Sequence, residues 1–279
     1  MSRASGLTKF LAVLLGLVSV PVTAGAVVAS VLWLDGGSLT AEPTRSVAVG
    51  IAPQVDVHLE AGILEIRRGA PGRVVLAEHN TVHGLSRPAV LAVLDKLAGT
   101  IRTTKSGASI DVPSGFPDLH LSFAMATGQQ RDVTVTVPPD ASLHVNSGPG
   151  AIRLIGLSGP VDISMRGGFL ELRDFKVTGV SKLRVPEGVI GGSLTMAGGS
   201  VDCALVTGAV DLKVANPFGV RLQASAANGS VTVPATFALA TTKLGSSSSV
   251  SGVIGGGQPS GAGQLTLETV NGGIAISSP

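Results

Sequence analysis

His79 and His83 lie four residues apart, a spacing that on a helix would set two imidazoles on one face as metal sites require. The stretch around them, AEHNTVHG, does not read as helical, so the pair is expected to be solvated turn histidines and no metal is assigned. His58, His120 and His144 alternate with apolar neighbours and belong on outward strand faces. Cys203 is the single cysteine, in Val201-Asp202-Cys203-Ala204-Leu205, the pattern of a small core residue. No base stands beside it to draw out a thiolate. Asp162, Glu171, Asp202 and Asp211 could stack on neighbouring turns of a repeat fold and supply the paired carboxylates of a polysaccharide lyase or hydrolase. Arg173, Lys213 and Arg221 are interspersed among them, however, and mixed charge on an exposed sheet usually serves solubility. The chain has no Tyr and a single Trp, Trp33, which removes the usual stacking platforms for sugar rings. No GxSxG elbow, P-loop, GxGxxG after a strand or HExxH occurs. No catalytic, cofactor-binding or metal-binding residue is therefore assigned, and the protein is not expected to be an enzyme.

The elements that would position these residues are short strands. Among 279 residues, 38 are Gly and 16 Pro, with only 3% aromatic and 14% charged, a composition of many turns and few long helices. Twenty Lys and Arg against 18 Asp and Glu, without a dense basic run, make nucleic acid an improbable partner. One cysteine excludes an internal disulfide framework. Glycines precede alternating apolar tetrads at Gly150 (AIRL), Gly168 (FLEL), Gly208 (AVDL) and Gly229 (SVTV), with Gly192 (SLTM) between. A recurrence of about 20 residues predicts a stacked-repeat fold in which each turn buries its apolar face against its neighbours. The predicted inward set is Ile152, Leu154, Val161, Ile163, Leu170, Leu172, Val201, Leu205, Val210, Leu212, Val231 and Val233. Residues 265–276 make two further strands around an Asn271-Gly272 turn and would close the stack, after a low-complexity stretch around Ser246–Ser249 and Gly255–Gly257. Earlier, 47–83 reads as strands and turns, and 86–97 as a short helix with Val90, Leu94 and Leu97 on one face. A hairpin is expected from Leu119 to Val137, turning at Thr127–Gln130. Asn228-Gly229-Ser230 matches a glycosylation acceptor, but a turn role accounts for it.

Residues 10–34 carry no charge, and a helix rising about 1.5 Å per residue would cross a roughly 30 Å hydrocarbon core over that length. Arg3 and Lys9 precede the segment while Asp35 and Glu42 follow, which places 1–9 in the cytoplasm and the remainder outside. The competing reading is a signal sequence cleaved near Ala24, which would release a secreted protein. Both export the domain. The expected organisation is a cytoplasmic tail 1–9, a transmembrane helix 10–34, a linker 35–46 and an extracytoplasmic domain 47–279 with an atypical stretch at 84–128.

VTVPPDASLHVNSGPGAIRLIGLSGPVDI (135–163), AANGSVTV (226–233) and LETVNGGIAI (267–276) together resemble the putative adhesin family of bacterial and archaeal envelope proteins. The resemblance runs from Val47 to the C-terminus and is weakest between Gly84 and Gly128. It implies an all-β, glycine-rich β-solenoid or β-helix-like repeat domain, with 267–276 as the closing rung. The function it implies is a non-catalytic envelope module that contacts a protein or surface polymer. The alternative is a regulatory ectodomain that senses envelope stress together with a membrane partner.

Overall fold

The computed structural model describes residues 38–84, 87–113, 126–215, 219–254 and 263–278. Among them no helix is long and apolar enough to cross a membrane. Residues 10–34, read as the anchor, lie outside the described residues, as do His120 and the strand expected at 119–125. The fold is all-β, with one α-helix and one 3-10 turn among the described residues.

The chain divides into two compact units. Of the described residues, the smaller unit holds 38–41, 81–84, 87–96 and 126–130. It contains β1 (Ser38–Ala41), the end of β5 (Arg73–Gly84), nearly all of α1 (Arg87–Leu97) and the start of β8 (Ala126–Val137). The helix forms where Pro88 suits an early helical position and Val90 recurs with Val93, both buried, while Leu94 is only half-buried. The expected turn at Thr127–Gln130 is absent: β8 runs straight through it, because pairing with the equally long β5 holds those polar residues extended. His79 and His83 are likewise on β5, exposed on a strand and not in a turn.

The larger unit holds the main core. It contains β2 (Thr44–Ala48), β3 (Gln54–Leu59), β4 (Gly62–Arg68), β6 (Thr100–Thr103) and β7 (Gly107–Val112), followed by β9 (Ser142–Ile155), β10 (Val161–Val177) and β11 (Val180–Arg184). Next come β12 (Glu187–Met196), β13 (Ser200–Ala215), β14 (Arg221–Asn228), β15 (Val231–Thr232), β16 (Thr241–Leu244), β17 (Ser247–Val253) and β18 (Gln264–Ser277). Strand β1 and the first three residues of β2 fall inside the stretch 35–46 expected to be a linker, where both strands pair with β5; Arg45 stands opposite Leu76. Strand β17 similarly occupies the serine-rich part of the expected low-complexity loop, held antiparallel between β14 and β16.

A continuous parallel ladder forms the body of this unit. Its spatial order is β7 and β8, then β3 and β4, then β9, β10, β11 with β12, β13, β18, and finally β14 with β15. The C-terminal strand is therefore not the closing rung. It lies between β13 and β14, and the far end is covered by the antiparallel β16 and β17 and by a 3-10 turn that buries Phe237. Insertion is possible because Leu265, Leu267, Ile274 and Ile276 repeat the inward pattern of any interior rung. Nor do 265–276 form a hairpin: β18 is one strand, parallel to its neighbours on both sides of Gly272.

The long strands share one glycine column. Gly62, Gly150, Gly168, Gly188, Gly208 and Gly272 stand in register on successive rungs, and Gly229 continues the column on the next. A methyl group on Gly168 would lie 1.9 Å from the carbonyl oxygen of Gly150, and one on Gly208 1.7 Å from that of Gly188. With φ of +117° and +141° respectively, both also hold a backbone conformation that side-chain-bearing residues resist. Gly188, and not Gly192, is thus the corner residue of its rung. Gly192 stands opposite Leu172 and Leu212 in a leucine column, displaced past the corner in a strand whose pairing with β10 is interrupted by a bulge between Leu172 and Phe175. Of the predicted inward set, eleven residues are buried and Val233 is half-buried. Full burial of one such Leu or Ile stabilises the fold by about 2 kcal/mol.

Candidate functional surface

Alternation along the rungs turns every second side chain outward, so parallel register converts single residues into columns. Before the glycine corner one such column reads Asp56, His144, Asp162, Lys182 and Asp202 on successive rungs. His144 Nδ1 is 3.8 Å from Asp162 Oδ2, and Arg184 Nη1 is 4.0 Å from Asp162 Oδ1. Beyond the corner a second column reads Glu65, Arg153, Glu171, Gly191 and Asp211. Glu171 accepts hydrogen bonds from Arg173 Nε at 2.6 Å and Arg153 Nε at 3.1 Å. The Arg173 hydrogen bond and the two guanidinium charges hold the Glu171 carboxyl below the usual glutamate range, against an opposing contribution from burial. The carboxylates expected to stack on adjacent turns are two rungs apart, Asp162 from Asp202 across Lys182 and Glu171 from Asp211 across Gly191.

Next to the second column runs an apolar one: Ile63, Ala151, Phe169, Val189 and Ala209. Ile63 and Phe169 are each 40% exposed. Phe169 Cε2 lies 3.9 Å from where a methyl on Gly191 would stand, so the ring leans into the notch that glycine leaves in the charged column. The second outward face is therefore a hydrophobic stripe beside a column in which acid and base alternate over the first three rungs, a surface with both apolar and polar groups to offer. His58 and His144 are exposed, as their alternation predicts, and His79 Nδ1 lies 2.9 Å from Glu42 Oε1. Cys203 is fully buried, and burial together with the neighbouring Asp202 charge pushes its thiol well above the ordinary range.

Two features of the larger unit escape the motif-by-motif reading. One is an open cleft of about 350 Å³ between the residues 48–53 and the β6–β7 turn, lined by Val49, Ile51, Pro53, Thr103, Lys105 and Ser106, with Ile51 fully exposed. The other is the buried pair Glu78 and Arg131, whose Oε1 and Nη2 atoms are 2.6 Å apart. Its signal is present in the sequence: on β5 the inward alternation Val74, Leu76 continues into Glu78 and Asn80, polar residues at core positions.

No known family model and no curated protein matches this chain. Among solved structures it is similar to a putative cell adhesion protein from Clostridium sporogenes, at 10% identity and a TM-score of 0.41, over 86% of this chain and 100% of that one. It is also similar to a putative adhesin from Bacteroides fragilis, at 13% identity and a TM-score of 0.26, over 85% of this chain and 97% of that one. A putative adhesin from Parabacteroides distasonis matches at 10% identity and a TM-score of 0.24, over 86% and 97%.

Proposed function

We propose that this chain is a non-catalytic envelope module: a β-solenoid anchored in the membrane by residues 10–34, presenting its outward columns outside the cytoplasm to a protein or surface polymer. The observation that supports this reading is an apolar column running beside a charged column along five consecutive rungs, with Glu65 and Glu171 of the latter paired to arginines. Residues serving only the core would leave no reason for Ile63 and Phe169 to stand in line on the outside. Glu171, a largely enclosed carboxylate of the second column, is held ionised by two arginines, which suits a fixed contact and not an acid that must donate a proton.

The test is binding of the full-length protein to fractionated envelope from the producing cell, protein and polymer fractions separately, with Phe169→Asp as the probe. That substitution is expected to reduce binding at least tenfold while the folded domain persists. Unchanged binding would remove the second face from consideration, and release of a shortened glycan would overturn the non-catalytic reading.

A further inference from the structure

We infer that Arg67, Arg173 and Lys213 form a row of cations on the second face that binds a linear acidic polysaccharide carrying one anionic group in every two sugars. This rests on the reading of that face as the contact surface and names its partner. The row is the outward column next to that of Glu65 and Glu171, on the side away from Phe169. On successive rungs it reads Arg67, Ile155, Arg173, Ser193 and Lys213. Ser193 takes its place across the β10 bulge, where its Oγ accepts the Asp174 amide at 3.2 Å. A cation thus stands on every second rung, with a neutral residue between.

The same three-residue pattern builds each cationic position: Glu65-Ile66-Arg67, Glu171-Leu172-Arg173 and Asp211-Leu212-Lys213. Alternation turns the acid and the base of each triplet to the same side, and in the first two the carboxylate accepts a hydrogen bond from the arginine Nε. The side chains of Arg67 and Arg173 are 56% and 55% exposed, whereas those of Glu65 and Glu171 are 17% and 18% exposed. The carboxylates therefore lie beneath the guanidinium groups, and a partner meets the positive charge first. With Nε held, each guanidinium is fixed in orientation and keeps its two Nη groups for a bidentate contact with a carboxylate or sulfate. At the third position Asp211 and Lys213 are both exposed, so the layering is confined to the two arginine rungs. Mixed charge that served solubility alone has no need to set three cations in one column and to sink the counterions of two.

Spacing selects the partner. Neighbouring rungs lie about 4.8 Å apart, so the cations recur about every 10 Å and span about 19 Å in all. A nucleic acid strand carries a phosphate about every 3.4 Å, close to three for each cation, which leaves most of its charge unmatched. An extended polysaccharide with one carboxylate or sulfate per disaccharide sets one anion against each cation, with its intervening sugars over Ile155 and Ser193.

The test is retention of the full-length protein, held in detergent micelles, on immobilised hyaluronan, which carries one carboxylate per disaccharide. Neutral dextran and single-stranded DNA are the comparisons. The native protein is expected to be retained on hyaluronan and on neither comparison, and to be released as salt rises to about 0.5 M, where exposed charges are screened. Arg67→Gln combined with Lys213→Gln is expected to weaken retention at least tenfold, and Lys213→Gln alone by a smaller factor. The single variant decides the matter should the paired one fail to fold. Lys243→Gln, an exposed lysine on β16 outside the row, is expected to leave retention unchanged. Absence of retention, equal retention on DNA, or equal loss in Lys243→Gln would overturn the row. Should the row variants bind the envelope fraction as the native protein does while Phe169→Asp does not, the acidic polysaccharide is the wrong partner and the contact face stands. Should Phe169→Asp bind it unchanged as well, the face itself fails.

Discussion

Cys203 stands between Leu183 and Leu267 of the rungs on either side, enclosed by aliphatic side chains. Cys203→Ala is expected to cost about 1 kcal/mol through a small vacancy and to leave binding intact. A thiol reagent applied to the native protein should react only as fast as the domain opens, which a labelling time course measures. Glu171 gives a prediction in pH. Its carboxyl titrates below the ordinary glutamate value in the folded chain, so the stabilisation is complete above about pH 5 and is lost as pH falls through the lowered folded value. The stability difference between wild type and Glu171→Gln, measured by urea unfolding, should be flat from pH 8 to 6 and shrink toward pH 3. At this scale the sequence is informative where one residue decides its own environment: the burial of Cys203 and the exposure of His58 and His144 follow from alternation alone. Ionic partners do not follow. Arg173 reaches Glu171 from two residues along the same strand, but Arg153 meets it only because parallel register sets β9 beside β10, and Arg131 reaches Glu78 across 53 residues of chain.

Each long strand is two straight segments joined at a glycine, and the corner depends on backbone from the previous rung lying where a side chain would be. Gly208→Ala is therefore expected to cost more than about 2 kcal/mol, from strained φ together with collision against the Gly188 carbonyl. Gly50→Ala has open space and no such φ, and should stay within about 0.5 kcal/mol. Thermal unfolding of the two variants compares them directly. The apolar tetrads locate these elements well, because an inward Ile or Leu repeated every second residue is a local pattern. Their boundaries are less legible. Asn271-Gly272 has the composition of a hairpin turn, yet flanking parallel strands keep the chain running on through it. Thr127–Gln130 looks like a turn for the same reason and is straightened by pairing with β5. Gly192 mimics a corner because it too precedes alternating apolar residues, and only register against Leu172 and Leu212 distinguishes it from Gly188.

At the scale of the larger unit, stability is shared between neighbouring rungs, so an interior fault should weaken the ladder while an exterior one should not. Leu212 is fully buried and Lys213 exposed. Leu212→Asp is expected to lower stability by several kcal/mol and Lys213→Asp to change it by no more than about 0.5 kcal/mol. Spatial order is the least legible property of the sequence. Nothing local says that β18 slips between β13 and β14, or that β3 and β4 lie between β7 with β8 and β9, since every rung offers the same inward pattern to any neighbour. That uniformity is also what lays unrelated residues in line on the outside and gives the proposed contact face its length. The most direct measurement of that proposal is the affinity of the full-length protein for the isolated envelope fraction that retains it, compared across Phe169→Asp and Asp202→Lys, one substitution on each outward face, with melting temperature recorded for both. Phe169→Asp is expected to lose at least tenfold in affinity, with Asp202→Lys near wild type and both variants folded. Equal affinity for all three proteins would contradict it.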